Sequence, residues 1–268
     1  MKALSRLKRR AADARRPPVV VSESGGLRSL HIGGVAVQSA MRLDDPYALA
    51  LDYTRCMMAF LLFHPQPREA LMIGLGGGSL AKFLHRDMPG LRLRAVEIDS
   101  RVIAAARTHF HLPPDDARLA VEHGCGTEAL APECCDQLIV DGFVDELVSD
   151  ALVAPSFFDA AWMALTDPGV LVMNVMDSDP RFDEVLRHVE HAFAGAVLCM
   201  PALRDPNVIV LALKGAPPRV PWQALRERAE ALETEFGLPF ARYLNALAKM
   251  NPRTADDLIV VGEAGASP

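Results

Sequence analysis

An α/β fold on a doubly wound, mostly parallel seven-stranded sheet is what this chain predicts, and three observations carry it. Apolar, β-rich runs near 70–75, 91–97, 118–122, 136–141 and 169–175 alternate with helical patterns near 79–87, 100–110, 156–165 and 181–193. That alternation is what parallel strands joined by crossover helices require. The first run passes directly into Gly74-Leu75-Gly76-Gly77-Gly78, which opens the first helix. The last two runs, 196–200 and 207–213, are separated only by a short stretch containing Ala202-Leu203-Arg204-Asp205-Pro206. A gap that short accommodates an antiparallel hairpin and excludes a crossover helix.

Four segments follow along the chain. Residues 1–17 form a basic arm. Residues 18–67 predict a small β-hairpin region with strands at 19–23, 27–32 and 35–38, broken by the turn pairs Gly25-Gly26 and Gly33-Gly34, and then a helix. The apolar stretch from Tyr47 to Phe63 is interrupted by Asp52 and Arg55, which suits a buried amphipathic helix better than a membrane span. Residues 68–214 carry the α/β domain. Pro217-Pro218 then opens a C-terminal helical segment, 215–268, with helices at 222–236 and 239–250; Trp222, Leu225, Ala229 and Leu232 recur at spacings of three and four and mark one apolar face.

Composition sets further bounds. At 268 residues, 50% hydrophobic and 23% charged, the chain can bury a full core. Its net charge of −6 is unevenly spread, because the first 16 residues hold seven basic side chains against the single acid Asp13. The remaining body is strongly acidic, which argues against a nucleic-acid substrate. Cys56, Cys125, Cys134, Cys135 and Cys199 are odd in number and form no C-x-x-C pair, so neither a disulfide framework nor a zinc site is indicated. With no apolar leader visible, the expectation is a cytoplasmic protein away from membranes.

The glycine turn lets backbone pass close to a ligand at a helix N-terminus. Glu97 follows Gly74 by 23 residues at the end of the next strand, where a carboxylate can accept both hydroxyl protons of a ribose. A nucleoside is therefore expected. Ser79 stands where a dinucleotide fingerprint needs glycine or alanine, so the G-x-G-x-G form fits an S-adenosylmethionine-type ligand, which has no pyrophosphate. The closing hairpin likewise marks the methyltransferase type of Rossmann-like sheet. Asp141 ends the strand Gln137-Leu138-Ile139-Val140 at the lip of the crevice, where it can hold a cationic amine and accept its proton. Cys125 reads as a small neutral filler. His109, His111 and His123 form no ligand-spaced set with nearby acids, so no metal is assigned.

The order of these features resembles the spermidine synthase family, the aminopropyltransferases that use decarboxylated S-adenosylmethionine. The resemblance rests on Gly74 to Gly78, Glu97-Ile98-Asp99, Asp141, Pro155-Ser156-Phe157-Phe158 and Pro168-Gly169-Val170-Leu171. Upstream, Leu30-His31-Ile32-Gly33-Gly34-Val35-Ala36-Val37-Gln38-Ser39 looks like the family's strand-turn-strand ending in a glutamine beside the substrate. The resemblance implies donor contacts from Gly74, Gly76, Gly77, Gly78, Glu97, Ile98, Cys125 and Gly126. Gln38 would join them and, with Asp141 and Tyr47, meet a small-molecule amine acceptor. A homodimer is implied too.

Four departures accompany it. Gly77 stands where the family carries an aspartate in the turn, and His123-Gly124-Cys125-Gly126 where it carries an Asp-Gly pair for the adenine. Asp44-Asp45-Pro46-Tyr47 keeps only the tyrosine and preceding acids of the polyamine cluster, and Asp145 places the second acid of the gate after Asp141 one position late. Two alternatives stay open: a methyltransferase using S-adenosylmethionine itself, and a non-catalytic nucleoside-binding paralogue.

Overall fold

A computed structural model describes residues 17–144 and 147–261. The basic arm up to residue 16 and Asp145 lie outside the described residues.

The chain opens with β1 (Val19–Ser24), β2 (Leu27–Ile32) and β3 (Ser39–Arg42), an antiparallel sheet. The third strand therefore falls after residues 35–38. That stretch alternates like a strand, but Val35 is 95% exposed and the His31 ring holds the loop through the carbonyls of Val35 and Ala36. Pairing resumes at Ser39, opposite Leu30. The apolar stretch that follows is helical in two pieces, α1 (Asp52–Met57) and a 3-10 turn (Met58–Leu62).

Next come β4 (Glu69–Ile73), α2 (Ser79–Asp87), β5 (Arg92–Glu97), α3 (Ser100–His109), β6 (Leu119–His123) and β7 (Cys135–Val140). Asp99 caps α3, its carboxylate accepting the Arg101 N–H. A two-residue ribbon, β8 (Phe143–Val144) and β9 (Leu147–Val148), precedes α4 (Pro155–Ala164), β10 (Leu165–Met176), α5 (Phe182–Ala192), β11 (Val197–Pro201) and β12 (Asn207–Lys214). The chain closes with β13 (Arg219–Pro221), α6 (Trp222–Phe236), α7 (Phe240–Met250) and β14 (Asp257–Ile259).

Seven strands form one sheet in the order β11-β12-β10-β7-β4-β5-β6. β12 alone runs against its neighbours, so the sheet ends in the expected hairpin. Apolar side chains cover both faces, as a parallel sheet requires. One face packs against the 58–62 turn, α2, α6 and α7, and the other against α4 and α5. α7 also lies along the edge strand β11, where Asn251 donates to the Cys199 carbonyl at 2.6 Å and accepts the Cys199 N–H at 2.8 Å. Those groups would otherwise be an open template for pairing. Among the described residues no helix is long and apolar enough to cross a membrane.

The N-terminal sheet is joined to this body by a small core of Leu30, Met41, Val102, Ala105 and Phe110. Lys82 is fully buried beneath it and donates to the carbonyls of Pro46 and Phe110, both at 2.7 Å. Burial lowers its ammonium to about 8. Phe110 thus anchors both the N-terminal sheet and the glycine turn. Phe110→Ala should cost about 3–5 kcal/mol by the cavity it leaves, read as a fall in the urea midpoint.

Candidate active site

Strand register brings the site together. Ile73 pairs with Val96 on one side and Val140 on the other, and Val140 pairs with Met173. Gly74, Glu97 and Asp141 therefore stand at the carboxyl ends of three adjacent parallel strands, level with Asn174 inside the fourth, β10, which runs on to Met176. This is the crevice beyond the carboxyl ends of the strands, at the point where strand order reverses. A cavity of about 500 Å³ opens there.

Gly74 has a φ of +90°, and a Cβ on it would overlap the Asp141 carbonyl, so only glycine fits. At Gly126 a Cβ would run into the Ile73 side chain. Glu97 is buried, with Oε2 accepting the Leu75 N–H and Oε1 the Asp99 N–H, both at 2.9 Å. Burial raises its carboxyl above the usual range, and the two amides partly offset this. Each oxygen keeps a further lone pair, so the carboxylate remains able to take ribose hydroxyls. Ile98, Cys125, Gly126 and Gln38 also line the cavity. The Cys125 Sγ lies 3.1 Å from the Thr127 hydroxyl, which lowers its thiol below the ordinary value.

The glycine turn is divided. Gly74 and Gly76 line the cavity, whereas Gly77 and Gly78 turn from it into packing. A Cβ at Gly77 would stand 2.9 Å from both a Phe110 ring carbon and the Ser39 hydroxyl, and one at Gly78 would stand 2.8 Å from Leu112. An aspartate in this turn would therefore require Phe110 and Ser39 to shift.

Asp141 is the centre of a hydrogen-bonded chain. Its Oδ1 accepts from the Asn174 amide at 2.9 Å, and its Oδ2 from the Tyr53 hydroxyl at 3.3 Å. Asn174 in turn accepts from the Asn207 amide at 2.9 Å. Burial pushes Asp141 up to about 6, the two donors opposing the rise and the charge of Glu97 adding to it. Burial and the Asp141 charge keep the Tyr53 phenol protonated, as a donor must be.

Tyr53, not the expected Tyr47, is the tyrosine that lines the cavity. Tyr47 lies outside the cavity lining, its ring 5.8 Å from the Lys82 ammonium and 5.6 Å from the Arg86 guanidinium. Lys82's grip on Pro46 carries that loop onto α2, while α1 turns Tyr53 inward. Two reciprocal contacts hold α1 to the β11–β12 hairpin: Asp205 accepts the Tyr53 N–H at 2.9 Å, and Asp52 accepts the Arg204 N–H at 2.8 Å. Sequence reading missed Tyr53, Asn174, Asp205 and Asn207. An asparagine inside the apolar run Val170 to Met176 was the one visible signal among them. Asp145, the second acid of the expected gate, lies outside the described residues. Among the described residues no three His, Cys, Asp or Glu side chains gather in a metal-holding group.

No family model matches the chain. A curated polyamine aminopropyltransferase from Chromobacterium violaceum is 39% identical over 246 residues, 91% of this chain and 94% of that protein. The chain belongs to the polyamine aminopropyltransferase family. Among solved structures, a spermidine synthase in complex with the transition state analogue AdoDATO aligns with a TM-score of 0.62 at 21% identity, over 86% of this chain and 85% of that one. Human methyltransferase-like protein 13 in complex with SAH aligns with a TM-score of 0.64 at 25% identity, over 70% of this chain and 93% of that one. The aminopropyltransferase family thus shares its sheet with methyl-transferring relatives, and the contents of the cavity must separate the two chemistries.

Two outcomes follow from this geometry. Gly77→Asp, which writes the family's acid back into the turn, should destabilise the protein by about 1–3 kcal/mol of overpacking, measured by chemical denaturation. Asp141 has a folded pKa above its ordinary 3.8, so the stability it contributes is full at acid pH and is lost as pH rises through about 6. Asp141→Asn should therefore melt a few degrees above wild type near pH 8, with the gain vanishing near pH 4 in a thermal scan.

Proposed function

We propose that this protein transfers the aminopropyl group of decarboxylated S-adenosylmethionine to a small primary amine. The observation that carries this reading is the charge of the cavity wall. Glu97, Asp141 and Asp205 line it, and no lysine, arginine or histidine does among the described residues. The sulfonium and ammonium charges of a decarboxylated donor and an amine are compensated there. The carboxylate of S-adenosylmethionine would meet no cation and would sit among like charges. That contrast favours aminopropyl over methyl transfer.

In this reading Glu97 takes the ribose, Gly74 and Gly76 let the donor approach the backbone, and Ile98, Cys125 and Gly126 border the base. Asp141 receives the acceptor amine. Its raised pKa narrows the gap in proton affinity between carboxylate and amine, each unit being worth about 1.36 kcal/mol. The amine gives a proton to Asp141, and its lone pair attacks the methylene carbon bonded to sulfur. A C–N bond forms and the C–S bond breaks, with its electron pair passing to the sulfonium, so neutral methylthioadenosine leaves. Tyr53 and Asn174 hold the carboxylate in line for this step.

Calorimetric titration with both donors tests the reading. Decarboxylated S-adenosylmethionine should bind at least about tenfold tighter than S-adenosylmethionine, and the reverse order would favour methyl transfer. Turnover should rise with pH through about 6 as Asp141 ionises. Asp141→Asn should lower kcat by about 10²–10⁴-fold, the usual weight of a general base, with donor affinity unchanged.

A further inference from the structure

We propose that His31, whose own side chain lies outside the cavity lining, is a positioning residue for the donor: it latches the loop 33–38 in place as one wall of the cavity. The inference rests on the donor-binding reading of that cavity and adds what keeps the wall closed.

The loop leaves β2 at Gly33, whose φ is +76°, and pairing resumes at Ser39. Ile32, Ala36, Val37 and Gln38 line the cavity, and a Cβ on Gly76 would stand 3.3 Å from the Ser39 side chain and 4.0 Å from the Gln38 carbonyl. The loop therefore closes the cavity beside the glycine turn, where the donor lies in this reading. Backbone ties both of its ends, the Gly33 N–H donating to the Pro18 carbonyl at 3.0 Å and the Gln38 N–H to the Leu30 carbonyl at 2.9 Å. From Gly34 to Val37 the chain makes no hydrogen bond among the described residues except to the His31 ring. Val35, at the tip, faces solvent and gives no apolar anchor.

The latch has a defined chemistry. His31 Nδ1 lies 3.1 Å from the Val35 carbonyl and 3.0 Å from that of Ala36, and a carbonyl can only accept, so Nδ1 carries the hydrogen. In the neutral ring Nε2 is then an acceptor, and the Ser22 hydroxyl on β1 donates to it at 2.8 Å. The neighbouring strand thus fixes both the tautomer and the plane of the ring, as an outer hydrogen bond does for a working histidine. A wall that is in place only part of the time weakens apparent affinity by that fraction. His31 raises the fraction without touching the donor.

His31→Asn keeps a donor where Nδ1 stands, whereas His31→Phe keeps a ring and loses the donor. Calorimetry on the full chain would compare them with methylthioadenosine, the product nucleoside, well below the melting temperature of each variant. His31→Phe should bind about three- to tenfold more weakly than wild type, the weight of the lost hydrogen bonds, and His31→Asn within about twofold of it. In turnover the donor KM of His31→Phe should rise by the same factor with kcat within about twofold, the split left by lost uniform binding. A merely structural role would shift melting temperature and leave affinity alone. Wild-type affinity in His31→Phe, or a loss in His31→Asn as large as in His31→Phe, overturns the proposal. A wild type that binds no methylthioadenosine overturns it together with the donor reading. A wild type that shows the His31-dependent affinity but converts no amine would sink the transfer reading alone.

Discussion

The contact on which the site depends is the approach of Gly74 to the backbone of Asp141. β4 and β7 are hydrogen-bonded neighbours up to Ile73 and Val140, and the Asp141 N–H still donates to the Ile73 carbonyl at 2.9 Å. Immediately beyond, the chain at Gly74 turns with positive φ through space that any Cβ would take from the Asp141 carbonyl. The turn therefore sets the position of the acid, and the acid's backbone dictates the residue in the turn. The glycine turn and the strand-end carboxylate are built as one object.

A line of polar groups then crosses the sheet from this point. Asn207, Asn174, Asp141 and Tyr53 form a directed chain whose members come from β12, β10, the end of β7 and α1. The Asn207 amide donates to the Asn174 oxygen, which leaves the Asn174 N–H groups for Asp141. The orientation of the carboxylate is thus inherited from the antiparallel closing hairpin. That gives the one reversed strand a part in placing the acid, since Asn207 begins β12 opposite Met176. A buried carboxylate in such a network keeps its geometry while burial raises its proton affinity.

Much of this architecture was legible in the sequence. Strand and helix positions followed from periodicity and from glycine and proline punctuation, and Gly74, Glu97 and Asp141 stood out because each ends an apolar run. Where reading failed, the cause was tertiary. Residues 35–38 alternate like a strand, but Ala36, Val37 and Gln38 line the cavity instead, because pairing with β2 resumes only at Ser39. Tyr47 and Tyr53 sit six residues apart in one apolar stretch, and nothing local says which faces Asp141. Lys82, on a distant helix, decides it by pulling the Pro46 carbonyl away.

The sequence by itself determined the sheet, the turn and the two strand-end carboxylates, because these depend on backbone conformations and apolar periods that neighbouring residues dictate. The tertiary structure alone decided what surrounds them. It gathered Tyr53, Asn174, Asp205 and Asn207, turned Gly77 into packing against Phe110, and left a cavity wall with acids and no cation among its described residues. Those outcomes depend on side chains far apart in the chain meeting across the sheet, and the net charge of a cavity is a property of the residues that meet there rather than of any segment.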